Sequence, residues 1–162
     1  MTSSPYHICF VCLGNIVRSP LAEHLFRQHA AQAGLEGQYQ VASAGTGTWH
    51  LGESPDARMR RLAARRGLNY DGRARQFRRE DLDRYDLIVP MDMENRIDLL
   101  RLASTPAQQA KIHLLREFDP HGGPRLSVPD PYYDGVDAFE EVYDMIDRSV
   151  KALLDSLQAG KV

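Results

Sequence analysis

His7-Ile-Cys-Phe-Val11 runs without a break into Cys12-Leu-Gly-Asn-Ile-Val-Arg18-Ser19-Pro20, and this stretch decides the fold. The first five residues are a short apolar run closed by the turn signal Gly14-Asn15, the pattern of a buried strand. Ser19-Pro20 then predicts a helix start, with Ser19 as N-cap and Pro20 at the first helical position. Leu21, Ala22, Leu25, Phe26, His29 and Ala33 share one helical face, and Gly34 ends the run. A strand, a tight loop and a helix in immediate succession are the opening unit of an α/β sheet.

The rest of the chain repeats that alternation. Further strands are expected at Tyr39–Ser43, Asp86–Pro90 and Lys111–Leu115. Ser54-Pro55 predicts a second helix that ends at Gly67, and Asp92 stands near the start of another containing Ile97 and Leu100. An amphipathic helix from about Asp137 closes the chain, burying Phe139, Val142, Tyr143, Ile146, Val150, Leu153 and Leu157. Alternating strands and helices predict a parallel sheet covered on both faces, a three-layer α/β sandwich. Ligands in such sheets bind beyond the carboxyl ends of the strands, and Cys12 lies at such an end.

At 162 residues the chain suits one domain, residues 1–162. Its formal net charge of −2 implies no general attraction to nucleic acid or to a membrane surface. No apolar stretch reaches transmembrane length, and Met1-Thr-Ser-Ser-Pro5 has no basic region before an apolar run, so no signal peptide is expected. The two cysteines are Cys9 and Cys12. Three residues of strand span about 10 Å and send them to opposite faces, beyond the separation of about 7 Å that a disulfide bridges. A reducing cytoplasm is therefore the expected compartment. Arg58, Arg61, Arg65, Arg66 and Arg79 read as a solvated helix face and the loop after it rather than a docking patch.

The chemistry is concentrated in Cys12–Ser19. Five residues, Leu13, Gly14, Asn15, Ile16 and Val17, separate Cys12 from Arg18. That length wraps the backbone round a tetrahedral anion with successive N–H groups pointing inward, and the helix N-terminus adds its partial positive charge. Gly14 and Asn15 tolerate the left-handed backbone such a curve needs. Arg18 can grip two phosphate oxygens through its planar fork. The same field favours the Cys12 thiolate as nucleophile, with Ser19 donating a hydrogen bond to the sulfur. Attack on phosphorus divides hydrolysis into two easier displacements, stabilised by the loop amides and Arg18. This chemistry calls on no metal and no cofactor. A bare Cys-x5-Arg spacing is weak evidence; its seat between strand and helix, with Ser-Pro at the exit, makes it specific.

Val11-Cys-Leu-Gly-Asn-Ile-Val-Arg-Ser-Pro20 resembles the signature of the low-molecular-weight protein tyrosine phosphatases. The resemblance continues through Ser43-Ala-Gly-Thr46, Trp49, Arg73-Ala-Arg-Gln76, Met91-Asp92 and Asp130-Pro-Tyr-Tyr133, essentially the whole chain in order. It implies a central four-stranded parallel sheet. It also implies hydrolysis of phosphotyrosine and aryl phosphate monoesters through a cysteinyl-phosphate intermediate, with tyrosine-phosphorylated proteins as partners and inorganic phosphate as product. A monomer is expected. By the same resemblance Asp130, held extended before Pro131, is the general acid and then the general base. Trp49 and Tyr132 wall a cleft for a phenol ring, with Leu13 and Ile16 at its base, and Asp92 orients the loop. His50 reads as an ordinary loop histidine. Asp119-Pro120 carries the same dipeptide without the aromatic pair and reads as a turn.

Two positions depart from the family pattern. Val17 stands where many members carry a second cysteine, which removes the partner for a protective disulfide. Gly72 stands where many carry a histidine, so Asn15 must rely on Ser43, Ser19 or water. Two rival functions are an arsenate reductase on the same fold and a non-catalytic phosphotyrosine-binding protein. The first needs a relay of further cysteines, and none follows Cys12. The second has no use for Cys12 and Asp130 together.

Overall fold

β1 (Tyr6–Cys12) occupies the centre of the sheet because it is apolar on both faces: Ile8, Cys9, Phe10 and Val11 are all 0% exposed. The computed structural model describes residues 4–162; Met1–Ser3, part of the stretch read as lacking a signal peptide, lie outside the described residues. β1 pairs in parallel with β2 (Tyr39–Gly45) on one side and with β3 (Leu87–Pro90) on the other, giving the order β2-β1-β3. Cys12 lies opposite Gly45 and Val11 opposite Pro90, so the three carboxyl ends open at one edge.

Side-chain alternation along β1 divides the core. Ile8, Phe10 and Cys12 join one apolar cluster, while Cys9 and Val11 join the other. The first is completed by α1 (Arg18–Gln32), α2 (Ala57–Arg65) and, at the end of the chain, α6 (Val136–Gln158), through residues such as Phe26, Met59 and Ile146. The second is completed by Leu82 of α3 (Asp81–Arg84) and Leu99 of α4 (Met93–Leu102). Helices therefore cover both faces, as the alternation predicts. Cys9 and Cys12 are both free thiols, on opposite faces of the strand. Burial pushes the Cys9 thiol far up, beyond anything the nearby Arg75 offsets.

The expected fourth strand is not formed, and the sheet has three strands. α5 (Pro106–Gln109) delivers the chain to β3, where Ile112 makes a single parallel bridge with Ile88. The N–H of Ile88 donates to Lys111 and that of His113 to Ile88. The next rung would need an N–H from residue 90 for the His113 carbonyl, and Pro90 has none; the Leu114 N–H, which faces away from β3, goes to the Glu117 carboxylate at 3.2 Å as the chain turns into a short 3-10 segment, Leu115–Glu117. Pairing thus ends after one residue.

Helix starts also differ from the Ser-Pro reading. α1 begins at Arg18, after Val17, which offers no side-chain cap, so Ser19 lies in the first turn rather than capping it. α2 is capped by Asp56, whose carboxylate accepts from the Arg58 N–H at 2.8 Å, rather than by Ser54. Gly34, at φ 72, ends α1 as expected. In α6 the expected apolar stripe is buried except at Leu157, which is partly exposed, while Leu154 is buried.

Asp119 is more than a turn residue. Its side chain is 0% exposed and accepts from Arg148 Nε at 2.8 Å, Arg116 Nε at 3.1 Å and the His121 N–H at 2.8 Å. Arg116 in turn donates to the Ser127 carbonyl, so the cluster ties the long segment before α6 to the body of the domain. Burial alone would raise the Asp119 carboxyl; the hydrogen bonds from Arg148, His121 and Arg116 outweigh it and hold the group below its ordinary range. A carboxyl depressed in the folded state stabilises above its unfolded value, about 3.9, and loses that contribution as pH falls through its folded one. Asp119→Ala leaves a buried arginine unpaired and should cost about 3–5 kcal/mol near neutral pH. Urea unfolding across pH should show that gap narrowing below about pH 4.

Candidate active site

The loop between β1 and α1 curves because one of its residues takes a left-handed backbone. Asn15 has φ 56 and is the one non-glycine with positive φ among the described residues. Gly14 has a different role: a Cβ there would meet His50 Cδ2 at 2.9 Å, so its missing side chain admits the imidazole. Gly45, at the end of β2, is needed for close approach too, since a Cβ would stand 2.7 Å from the Leu13 carbonyl oxygen. Hydrogen bonds from Thr46 N–H to the Cys12 carbonyl and from Gly47 N–H to that of Leu13 bind the loops together.

Cys12 Sγ accepts from the Asn15 N–H at 3.3 Å and lies 3.0 Å from Ser19 Oγ. Placing Ser19 inside the first helical turn is what brings its hydroxyl to the sulfur. Asn15 braces the loop from behind. Its Nδ2 donates to Ser19 Oγ at 2.9 Å and to Ser43 Oγ at 3.0 Å, and its Oδ1 accepts from the Arg75 N–H at 3.0 Å. Ser43 passes its own proton donation to Glu23 Oε1 at 2.7 Å, and Glu23 is paired with Arg27 at 2.6 Å. Both serines named from the sequence are therefore used. Glu23 and the Arg75 backbone were not foreseen; an i,i+4 Glu–Arg pair on a helix carries no sign of that role. A cavity of about 310 Å³ borders Asn15, Ser43 and Gly72, on the side from which a histidine at 72 would approach.

Arg18 is 2% exposed. Its Nη1 donates to Asp92 Oδ2 at 2.6 Å and to the Val128 carbonyl at 3.0 Å, and its Nη2 stands 3.6 Å from Asp130 Oδ2. Burial alone would lower the guanidinium's pKa, but the Cys12 sulfur, Asp92 and Asp130 raise it above the ordinary arginine value and keep the charge. Asp92 divides its two oxygens between two tasks. Oδ1 caps α4 by accepting from the Asn95 N–H at 2.8 Å, and Oδ2 holds Arg18.

A cleft of about 430 Å³ lies over the loop, with Cys12, Leu13, Ile16 and Arg18 on one side and Trp49, Asp130 and Tyr132 around it. Gly14 and Val17 also border it. The Trp49 ring folds over Gly47 and is 74% exposed, so it stands at the rim rather than in the core. Asp130 Oδ1 accepts from the Tyr132 N–H at 3.1 Å, which leaves Oδ2 toward Arg18. His50, read as an ordinary loop residue, lines the cleft: its ring centroid is 5.7 Å from that of Tyr132, and its Nδ1 lies 2.8 Å from Glu53 Oε2. Among the described residues no group of three or more His, Cys, Asp or Glu side chains is arranged to hold a metal ion.

The sequence pattern of the low molecular weight phosphotyrosine protein phosphatases matches residues 7–162. A low molecular weight protein-tyrosine-phosphatase of Streptomyces coelicolor is 45% identical over 154 residues, 94% of this chain and 94% of its own. YfkJ of Bacillus subtilis, of the same description, is 43% identical over 95% of this chain and 97% of its own. In three dimensions, a crystal structure of YfkJ superposes with a TM-score of 0.91 at 40% identity, covering 100% of each chain. A protein tyrosine phosphatase of Entamoeba histolytica, crystallised with Hepes in its active site, reaches 0.92 at 34% identity over 97% of this chain and 99% of its own. The chain belongs to the low molecular weight phosphotyrosine protein phosphatase family.

Ser43→Ala removes both the acceptor for Asn15 Nδ2 and the donor to Glu23. A lost buried hydrogen bond is worth about 0.5–1.5 kcal/mol, so turnover of phenyl phosphate should fall roughly 2- to 13-fold. The surface change Arg101→Ala should have no such effect. Equal turnover in the two variants would show that the loop backbone holds itself.

Proposed function

We propose that this chain hydrolyses phosphotyrosine in proteins, and aryl phosphate monoesters generally, through a cysteinyl-phosphate intermediate on Cys12. The observation that carries the reading is the meeting of Cys12, Arg18 and Asp130 at one cleft with aromatic walls. The backbone N–H groups of residues 13–18 and the Arg18 fork bind the phosphate dianion. Cys12 Sγ, as the anion, attacks phosphorus; the S–P bond forms as the bond to the phenol oxygen breaks. Asp130 gives its proton to that oxygen as it leaves. In the second step the Asp130 carboxylate takes a proton from water, whose oxygen attacks phosphorus. The S–P bond breaks, Ser19 stabilises the departing thiolate, and inorganic phosphate is released.

Electrostatics does most of the work. Arg18 is locked by Asp92 and the Val128 carbonyl before substrate arrives, so it costs little reorganisation as charge develops on the equatorial oxygens. Trp49 and Tyr132 favour a flat phenol ring, whose length carries phosphate to the loop where a serine side chain is too short. The matched span, residues 7–162, supports reading residues 1–162 as a single catalytic domain. All the proposed catalytic groups come from one chain, which supports a monomer as the working unit. Two free thiols suit a reducing compartment such as the cytoplasm. No helix among the described residues is long and apolar enough to cross a membrane. An arsenate reductase relay has no cysteine after Cys12 to run on, and Cys9 lies on the opposite face of β1.

Phosphotyrosine peptides should be cleaved far faster than phosphoserine or phosphothreonine peptides of the same sequence, with no change on adding a metal chelator. Equal rates, or loss of activity on chelation, would overturn the reading. Asp130→Asn should slow phenyl phosphate by about 10²–10⁴-fold and p-nitrophenyl phosphate much less, because only the poorer leaving group needs the proton. A uniform loss across substituted phenyl phosphates would give Asp130 some other role.

A further inference from the structure

Arg58, Arg61 and Arg65 recur at i, i+3 and i+7 and so share one face of α2. That face borders a groove of about 200 Å³ between α2 and the start of α6, into which the buried side chains of Leu62 and Phe139 also open. The groove neighbours the catalytic cleft. Asp130, Tyr132 and Tyr133 line the cleft, and the next residues, Asp134–Val136, line the groove. The Arg58 guanidinium joins the two, with its Cζ 5.2 Å from the Tyr132 ring centroid and 4.6 Å from that of Phe139.

The charges along this face are unevenly matched. Arg58 is paired with Asp56 and Arg66 with Asp144. Arg61 and Arg65 are exposed and have no ion-pair partner among the described residues, and Asp134 is the one carboxylate among the residues lining the groove. In a chain of net charge −2, this is a local excess of positive charge beside the site where substrate must enter.

We propose that this groove docks an acidic segment flanking the phosphotyrosine of a substrate protein. The inference rests on the phosphotyrosine hydrolysis proposed above. Seven residues of helix carry the row from Arg58 to Arg65 over about 10 Å. About three residues of extended chain cover the same length. Glutamate or aspartate within a few positions of the phosphotyrosine therefore reaches Arg61 and Arg65. Exposed charges of this kind set encounter and ground-state binding rather than the chemical step, so the effect belongs in KM.

The test compares three peptides that differ only in having Glu, Gln or Lys around one phosphotyrosine, with phenyl phosphate as a substrate that cannot dock. Wild-type protein should show the lowest KM for the Glu peptide, by about 2- to 5-fold for each charge pair formed, and high salt should erase the difference. Arg61→Glu with Arg65→Glu should abolish or reverse the order of the peptides while leaving kcat/KM for phenyl phosphate unchanged. No preference in the wild type, or a Glu preference that survives in the double variant, overturns the docking while cleavage of phenyl phosphate leaves the catalytic reading standing. Failure of the wild type to cleave phenyl phosphate overturns the catalytic reading and the docking with it.

Discussion

A guanidinium that is 2% exposed must be paired, because an uncompensated buried charge costs several kcal/mol, and the arrangement of this protein's catalytic edge follows from that requirement at Arg18. Its partners come from two separate places in the chain. Asp92 follows β3, the Val128 carbonyl belongs to the long segment before α6, and Asp130 stands two residues further along that segment. Satisfying one side chain therefore fixes the β1–α1 loop, the start of α4 and the acid-bearing segment relative to one another. The Val128 N–H completes the lock by donating to the Met91 carbonyl at 2.7 Å. The groups proposed to bind phosphate and to move the proton are thus registered by the same interaction.

The loop is supported from behind by a second, weaker set of contacts. Asn15 meets two serines and a backbone amide, and Ser43 passes the network to Glu23. This shows how the chain manages with Gly72 at a position where many family members carry a histidine. The three hydrogen bonds of the Asn15 side chain are made by groups on α1, on β2 and just beyond Gly72. The glycines serve the same end by different means. Asn15 supplies the left-handed turn, whereas Gly14 and Gly45 supply room for His50 and for the loop backbone.

Local signals were readable where local physics decided the outcome. The apolar run of β1, the Gly34 stop and the stripe of α6 each follow from periodicity or a single backbone preference. The segment Lys111–Leu115 looks like β1 in composition but makes only one bridge. There the neighbouring strand ends in Pro90, which has no N–H for the next rung, and the composition of the segment itself says nothing of its neighbour. Ser54-Pro55 and Ser19-Pro20 look like helix starts for a good reason, yet Asp56 is the better-placed cap for α2, and Ser19 is drawn to the sulfur.

The sequence by itself determined the chemistry proposed for this protein: a thiol and an arginine bracketing five residues at the end of a strand, and two cysteines on opposite faces of that strand. Both follow from spacing along a single element. Only the tertiary structure decided that His50 lines the cleft, that Asp119 is a buried hub for two arginines, and that the arginine row of α2 lies beside the catalytic entrance. The physical reason is distance along the chain. Arg148 reaches Asp119 across 29 residues and Arg18 reaches Asp92 across 74, and no periodicity or turn preference encodes a contact between side chains so far apart.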